Sequence, residues 1–281
     1  MKNCVTIQCV MLIYFGYGCG KPAQKPPQIK SETRASQKNI QMPPIDPDLQ
    51  EFLEIKLKAD AGDPLAQTKT GDNYATGRGV RVDFQKAVNW YRKAAIQNEP
   101  RAQYNLGYMY YNGEALPRDY KKAVYWLTKA ANQGNAGAQC NLGLMYDNGE
   151  GVEENDEIAV EWYHKAAAQG ESMAQFNMGW MHENGTGVEK DAAKAVDWYI
   201  KASFSGHIEA PNFLAILYDT GNGVNEDKIA AYAWWTIGAK RGDEAPRNNL
   251  DLLETQLTPE QITQAKVMVM QLEKEMAAGK P

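Results

Sequence analysis

The sequence predicts an all-α solenoid, a row of helical hairpins stacked side by side. Three observations carry this. Residue columns recur every 36 positions, the apolar residues within each period have helical spacing, and glycines stand where each helix must stop. Alanine recurs at 66, 102, 138, 174 and 210, and again at 87, 123, 159, 195 and 231. Glycine recurs at 71, 107, 143 and 179, with Ala215 in the fifth copy, and at 77, 113, 149, 185 and 221. Tyrosine recurs at 74, 110, 146 and 218, with His182 in the fourth copy. Trp90, Trp126, Trp162, Trp198 and Trp234 form a further column, and five of the seven tryptophans sharing one column excludes accident.

The periods are 62–97, 98–133, 134–169, 170–205 and 206–241. The third shows why each holds two helices. Ala138, Leu142, Met145 and Tyr146 are spaced i, i+4, i+7, i+8, which is one face of a helix. Asn148-Gly149-Glu150-Gly151 ends that helix, because glycine takes the left-handed conformation at little cost. Ala159, Trp162, Tyr163 and Ala166 follow at i, i+3, i+4, i+7, and Gly170 ends the second helix. Small residues at 138, 143, 159 and 166 let the helices approach closely. One hairpin cannot cover such a face alone, so neighbours must stack.

The stretch Ala138-Gln139-Cys140-Asn141-Leu142-Gly143-Leu144-Met145-Tyr146, then Gly149-Glu150-Gly151-Val152, then Ala159-Val160-Glu161-Trp162-Tyr163-His164-Lys165-Ala166-Ala167, resembles the Sel1-like repeat family. That family is related to the tetratricopeptide repeat, and the resemblance covers residues 62–241. It implies a right-handed α/α superhelix whose first helices line a concave surface. It also implies an adaptor that binds proteins. Some envelope-located members are immunity proteins that neutralise secreted effectors, including lipases of the type VI system. Members described as β-lactam-binding or hydrolysing carry a cysteine pair per repeat, and this chain lacks those pairs.

The ends differ from the middle, as the ends of an array must. Thr70 and Asn73 stand where the second unit has Leu106 and Met109. Residues 48–61, with Phe52, Leu53, Lys56 and Leu57 at helical spacing, are expected to cover that end. Over 242–281, Leu250 and Leu253 keep the register of Leu214 and Leu217. Thr258-Pro259-Glu260-Gln261 reads as a helix start with Thr at the cap. Ile262, Ala265, Val269 and Leu272 continue it as the second cap.

Residues 1–19 read as an export signal: Met1-Lys2-Asn3, then a short apolar run to Phe15. The run ends Gly16-Tyr17-Gly18-Cys19-Gly20, which resembles a bacterial lipobox with Cys19 as the lipidated residue. Gly18 and Cys19 fit that motif; Gly16 stands where a leucine is usual, and Gln8 interrupts the run. Plain secretion and a cytoplasmic location are the alternatives to a periplasmic lipoprotein. Residues 20–47 are rich in Pro, Gln, Lys and Ser and read as a tether.

A net charge of −5 without a basic run argues against nucleic acid, whose phosphates need clustered Lys and Arg. The expected contact with membrane is a lipid anchor alone, and the expected state is a monomer. Three of the four cysteines lie in the first twenty residues, so disulfides cannot hold the body together. His164, His182 and His207 have neither metal-ligand spacing nor a nucleophile beside them, so no cofactor, metal or catalytic residue is expected. His182 occupies the tyrosine column and reads as core. Gly185-Thr186-Gly187-Val188 and its counterparts read as interhelical turns rather than phosphate loops.

Binding is expected on columns of the first helices that vary from unit to unit at i, i+4, i+7, taken to lie opposite the core face. They are Tyr104, Tyr108 and Tyr111; Cys140, Leu144 and Asp147; Phe176, Trp180 and Glu183; and Asn212, Ile216 and Asp219. Aromatic anchors among polar groups are what protein partners favour. The opposing reading is that Tyr104, Phe176 and Trp180 pack between neighbouring first helices. The expected partner is a protein, either an effector toxin or an envelope component.

Overall fold

The computed structural model describes residues 46–279. Among the described residues the secondary structure is helical, in thirteen helices. Five hairpins follow one another: α2 (Pro64–Thr76) with α3 (Phe84–Ile96), α4 (Pro100–Asn112) with α5 (Tyr120–Asn132), α6 (Ala136–Asn148) with α7 (Asp156–Ala167), α8 (Ser172–Asn184) with α9 (Ala192–Phe204), and α10 (Ala210–Thr220) with α11 (Lys228–Lys240). The caps are α1 (Pro47–Asp60) before them and α12 (Pro246–Glu254) and α13 (Pro259–Ala277) after. From α1 to α12 each helix packs on its neighbours in the chain, and α13 packs on α11. This is an all-α solenoid.

The starts of the second helices and the ends of the first helices have the same chemistry in every unit. The second helices start on Asp83, Asp119, Asn155, Asp191 and Asp227, whose side chains accept backbone N–H groups of the first turn. The first helices end on a left-handed glycine, as at Gly149 with φ 68°, whose N–H returns to Met145 O.

Inside the first four hairpins the helices approach at a glycine. A Cβ on Gly143 would lie 2.7 Å from Tyr163 Cδ1, and one on Gly179 would lie 2.7 Å from Tyr199 Cδ1. The tyrosine ring thus lies flat against the backbone of the first helix, where any larger residue would displace it.

Between hairpins the polar groups form rungs. Gln103 Nε2 donates to Ala95 O (3.1 Å), Gln139 Nε2 to Ala131 O (3.1 Å) and Gln175 Nε2 to Ala167 O (3.2 Å), tying each first helix to the unit before it. The carbonyl oxygens of these glutamines accept from a second glutamine thirty residues on: Gln133 Nε2 to Gln103 Oε1 (2.7 Å) and Gln169 Nε2 to Gln139 Oε1 (2.8 Å). The next such position holds Ser205, and Gln175 Oε1 is buried without a partner.

The caps depart from simple periodicity in one respect. α1 stands 36 residues before α3, so Phe52 takes the place of Val88 and Ala59 that of Ala95. Phe52, Ala59 and Ile55 therefore face the array. Leu53 and Leu57, read from the sequence as part of the covering face, point to solvent, Leu57 at 73% exposure. The register with α3, not the run of leucines, decides which face is buried. At the other end Thr258 and Gln261 form a reciprocal capping box, with Gln261 N–H on Thr258 Oγ1 (3.3 Å) and Thr258 N–H on Gln261 Oε1 (2.9 Å).

Two stability predictions follow from this packing. Ser205→Gln supplies the missing donor to Gln175 Oε1, and the thermal midpoint should rise by an amount equivalent to about 1 kcal/mol. Gly143→Ala drives a methyl group into the Tyr163 ring and should destabilise by about 1–3 kcal/mol. Calorimetric melts of the two variants beside the parent chain check both.

Candidate binding surface

The three variable columns of the first helices have three different environments. The leading column, Tyr104, Cys140, Phe176 and Asn212, was read as lying opposite the core and does not. Successive first helices lie against one another, so an outer position of one helix becomes a seam position of the stack. The Tyr104 ring lies over Gly137 of the next unit. Cys140 is buried, and Phe176 is 2% exposed, stacked on His207 at 4.4 Å between ring centroids and edge-on to Phe213 at 5.0 Å. Asn212 Oδ1 accepts from Trp235 Nε1 at 2.9 Å. Tyr104 and Phe176 hold neighbouring units together, Asn212 ties α10 to α11 within its own hairpin, and Phe176 is closed to a partner.

The trailing column, Tyr111, Asp147, Glu183 and Asp219, is occupied by internal contacts. Tyr199 Oη donates to Glu183 Oε2 at 2.7 Å and Tyr163 Oη to Asp147 Oδ2 at 3.4 Å. Burial, and then the neighbouring carboxylate, push the Tyr199 phenol far above its ordinary range, so it stays a donor. Lys228 Nζ pairs with Asp219 Oδ1 at 2.8 Å, and the Tyr111 ring meets Tyr120 at 5.5 Å. The carboxylates of this column are therefore engaged by the second helices.

The middle column is what the surface presents. Tyr108 and Trp180 are half-buried and Ile216 is 39% exposed, while Leu144, at 8%, is the low point between them. In the first unit this position is Asp72, which accepts Tyr91 Oη (2.9 Å) and Asn105 Nδ2 (3.2 Å) on Oδ1 and pairs with Arg101 through Oδ2 (2.9 Å). Burial raises the Asp72 pKa and Arg101 pulls it part of the way back.

Sequence reading missed the residues flanking this ridge. Asn105, Asn141 and Asn177 precede Tyr108, Leu144 and Trp180 by three positions, and Asn112, Asn148 and Asn184 follow by four. All three positions share one helical face. Asparagine is a poor helix-interior residue, so its return at 105, 141 and 177 was the available signal. Asn105 and Asn141 are 3% and 5% exposed, and each keeps a buried polar atom without a hydrogen-bond partner: Asn105 Oδ1 and Asn141 Nδ2.

Cys140 is buried. His182 is buried in the tyrosine column, and His164 is exposed, edge-on to Trp198. Among the described residues no group of three or more His, Cys, Asp or Glu side chains is placed to hold a metal ion. Among them, too, no helix is long and apolar enough to cross a membrane. The export signal, Cys19 and nearly all of the tether lie outside the described residues.

Five consecutive segments, 64–99, 100–135, 136–171, 172–207 and 208–243, match the Sel1 repeat family. Among solved structures, a protective antigen of uropathogenic Escherichia coli displaying an SLR fold is 35% identical over 80% of this chain, with a TM-score of 0.70. This chain spans about half of that antigen's length, 48%. A Sel1 repeat protein from Oxalobacter formigenes is 33% identical over 72% of this chain and 86% of its own, with a TM-score of 0.65. An immunity protein from Pseudomonas aeruginosa is 22% identical over 73% of this chain and 86% of its own, with a TM-score of 0.46. No match was found among curated proteins.

His207 ties this surface to the C-terminal end of the array. Asp63, Glu99, Asn135 and Glu171, at the same place in the earlier units, accept the first-turn N–H of their helices. In the fifth unit His207 Nδ1 takes that role, accepting Ala210 N–H at 3.2 Å. An accepting Nδ1 must be unprotonated. Burial, and then the nearby Arg241 charge, hold the His207 pKa down to about 4. Below its ordinary pKa of about 6.5 the unfolded chain takes up a proton that the folded chain refuses. Stability from this residue is thus complete above about pH 6.5 and is lost as the pH falls toward 4, on the order of 3 kcal/mol in all. Melting temperatures from pH 7 to pH 4.5 should fall less steeply for His207→Asn, which keeps an acceptor and cannot titrate, than for the parent.

Proposed function

This chain belongs to the Sel1 repeat family, and we propose that it is a non-catalytic scaffold that holds a protein partner across the ridge of its first helices. The observation that carries this is the ridge itself. Tyr108, Trp180 and Ile216 remain partly open to solvent at the same place on three first helices. Half-buried aromatics are preorganised by their surroundings and bury large area on contact, which suits them as anchors. The flanking asparagines supply uncharged hydrogen-bonding groups around them.

In its finer form the reading is an immunity protein of the cell envelope. The chain would be exported by residues 1–19, anchored through Cys19, and would sequester a secreted effector, of the type VI lipase kind, on its first-helix face. The export-like N-terminus and the family resemblance support this form. An adaptor in envelope biogenesis or signalling would use the same face with a resident partner.

The test is capture from envelope extract by the full chain, in parallel with a Tyr108→Ala, Trp180→Ala double variant. The parent should retain a specific partner. The double variant should bind it at least roughly thirtyfold more weakly, as loss of a central anchor costs about 2 kcal/mol or more. Equal capture by both would overturn the placement. An effector among the captured proteins supports the immunity form, and a resident envelope enzyme supports the adaptor.

A further inference from the structure

The second-helix side of the array changes character along its length. α1 stands in the register of a second helix, so its outer residues share columns with α3, α5, α7 and α9. The column of Leu53 continues as Asn89, Tyr125, Glu161 and Asp197, and every member is exposed. The columns one turn to either side begin with Leu49 and Leu57. Leu49 gives way to Gln85, Lys121 and Glu157, and Leu57 to Lys93, Lys129 and Lys165. From the N-terminal cap onward the outer surface is therefore apolar, then cationic with an aromatic, then increasingly acidic.

The packing of the array does not use the first two zones. The face of α1 that meets the array carries Phe52, Ile55 and Ala59, whereas Leu49, Leu53 and Leu57 form an exposed stripe at i, i+4, i+8. α3 carries Lys86, Arg92 and Lys93, α5 carries Lys121, Lys122 and Lys129, and neither helix holds an acidic residue. Lys86 and Lys122 pair with the helix-capping Asp83 and Asp119. Lys93 and Lys129 instead lie over rings, 4.1 Å from the Trp90 centroid and 4.9 Å from that of Tyr125, and both are exposed. Lys56 of α1 bridges the two zones, with Nζ 5.7 Å from the Trp90 ring. The carboxylates of α1 are mostly answered: Asp48 and Glu51 pair with Arg78, Asp60 with Lys56, and Glu54 accepts from Gln50.

A leucine stripe beside exposed ammonium groups and an exposed tyrosine matches the chemistry of an anionic bilayer surface. Leucines enter the acyl boundary, aromatic rings sit at headgroup level, and lysine stems lie along apolar surface with their charge on the phosphates. The position of the patch in the chain favours lipid over an acidic protein. α1 starts at Pro47, directly after the segment read as an export signal and tether, and is the first element behind an anchor at Cys19. A second copy is disfavoured, because an isologous contact sets like surface on like and brings ammonium groups together.

We propose that the leucine stripe of α1, together with Lys121, Tyr125 and Lys129 of α5, rests on an anionic phospholipid surface. The acidic zone at Glu157, Glu161 and Asp197 is repelled by that surface, which sets the N-terminal end down and holds the rest of the array away from it. The ridge of Tyr108 and Trp180 lies on the first helices, so a partner and a bilayer are held by different sides of the hairpins. The choice of lipid leans on the export reading of residues 1–19 and is independent of the ridge.

The experiment floats the full chain carrying Cys19→Ser, so that no acyl group contributes, with phosphatidylcholine vesicles made with and without phosphatidylglycerol. Vesicle binding needs neither export nor acylation, so its failure and that of the export reading are separate. The chain should float with the anionic vesicles, release as salt is raised, and bind neutral vesicles weakly. A Leu53→Asp, Leu57→Asp double variant should bind at least roughly tenfold more weakly. A Lys121→Gln, Lys129→Gln double variant should bind roughly twentyfold more weakly or beyond. All four side chains are exposed, so melting temperatures should hold. Trp180→Ala, on the ridge, should float like the parent. No flotation, equal flotation with neutral vesicles, or flotation that both double variants retain would each overturn the proposal, the last by assigning binding to the apolar run before Phe15. Loss of flotation in Trp180→Ala overturns it in favour of the ridge. A leucine variant that floats normally but turns a dimer into a monomer overturns it in favour of a second copy.

Discussion

The contact on which this structure depends is the tyrosine ring laid against the glycine of its own hairpin. At Gly71, Gly143 and Gly179 there is room for a ring and for nothing more, and Tyr91, Tyr163 and Tyr199 fill it. A ring held there crosses the first helix, and its hydroxyl reaches the far side. Tyr91 bonds Asp72, Tyr163 bonds Asp147, and Tyr199 bonds Glu183. One contact therefore closes the hairpin and also fixes the polar groups on the outer face. The second unit shows the converse. Leu127 replaces the tyrosine against Gly107, no hydroxyl is available, and the trailing position holds Tyr111 rather than a carboxylate.

Hairpins closed this way still need joining, and the joint is polar as well as apolar. The glutamine rungs add a side-chain hydrogen bond to backbone carbonyls at the ends of the second helices that already accept one backbone N–H, so each unit is tied to the one before. On the second helices the tryptophan column carries lysine ammonium groups three residues on, 4.0 Å from the Trp162 ring at Lys165 and 4.1 Å from Trp198 at Lys201. The aromatic bulk that fills the stack is thereby covered by charge on its solvent side.

How much of this was legible in the sequence depends on which contacts a single period encodes. Hairpin boundaries, turn glycines and the alternation of small and large residues are local to one unit, and they repeat, so they were plain. The packing of one unit on the next is not encoded by helical spacing within a unit. That is why Phe176 and Cys140, outermost when a helix is read alone, lie in the seam between helices. It is also why Leu57 on α1 faces solvent although it is apolar. Tyr108 and Trp180, in the middle column, are half-buried, while Leu144 in the same column is buried. The asparagines escaped notice because constancy was read as a mark of packing, whereas a constant polar residue on a helix face also needs its hydrogen bonds accounted for.

That accounting separates the regular part of the array from its departures. His182 replaces a tyrosine and leaves Nδ1 unpaired; Ser205 replaces a glutamine and strands Gln175. Tyr108 stands where the preceding unit has Asp72, which accepts the Asn105 amide, and Asn141 Nδ2 is left without that acceptor. A buried polar side chain carried along with the repeat therefore stays satisfied only while its partner is kept too, and a single substitution in one column is felt as a lost hydrogen bond in another.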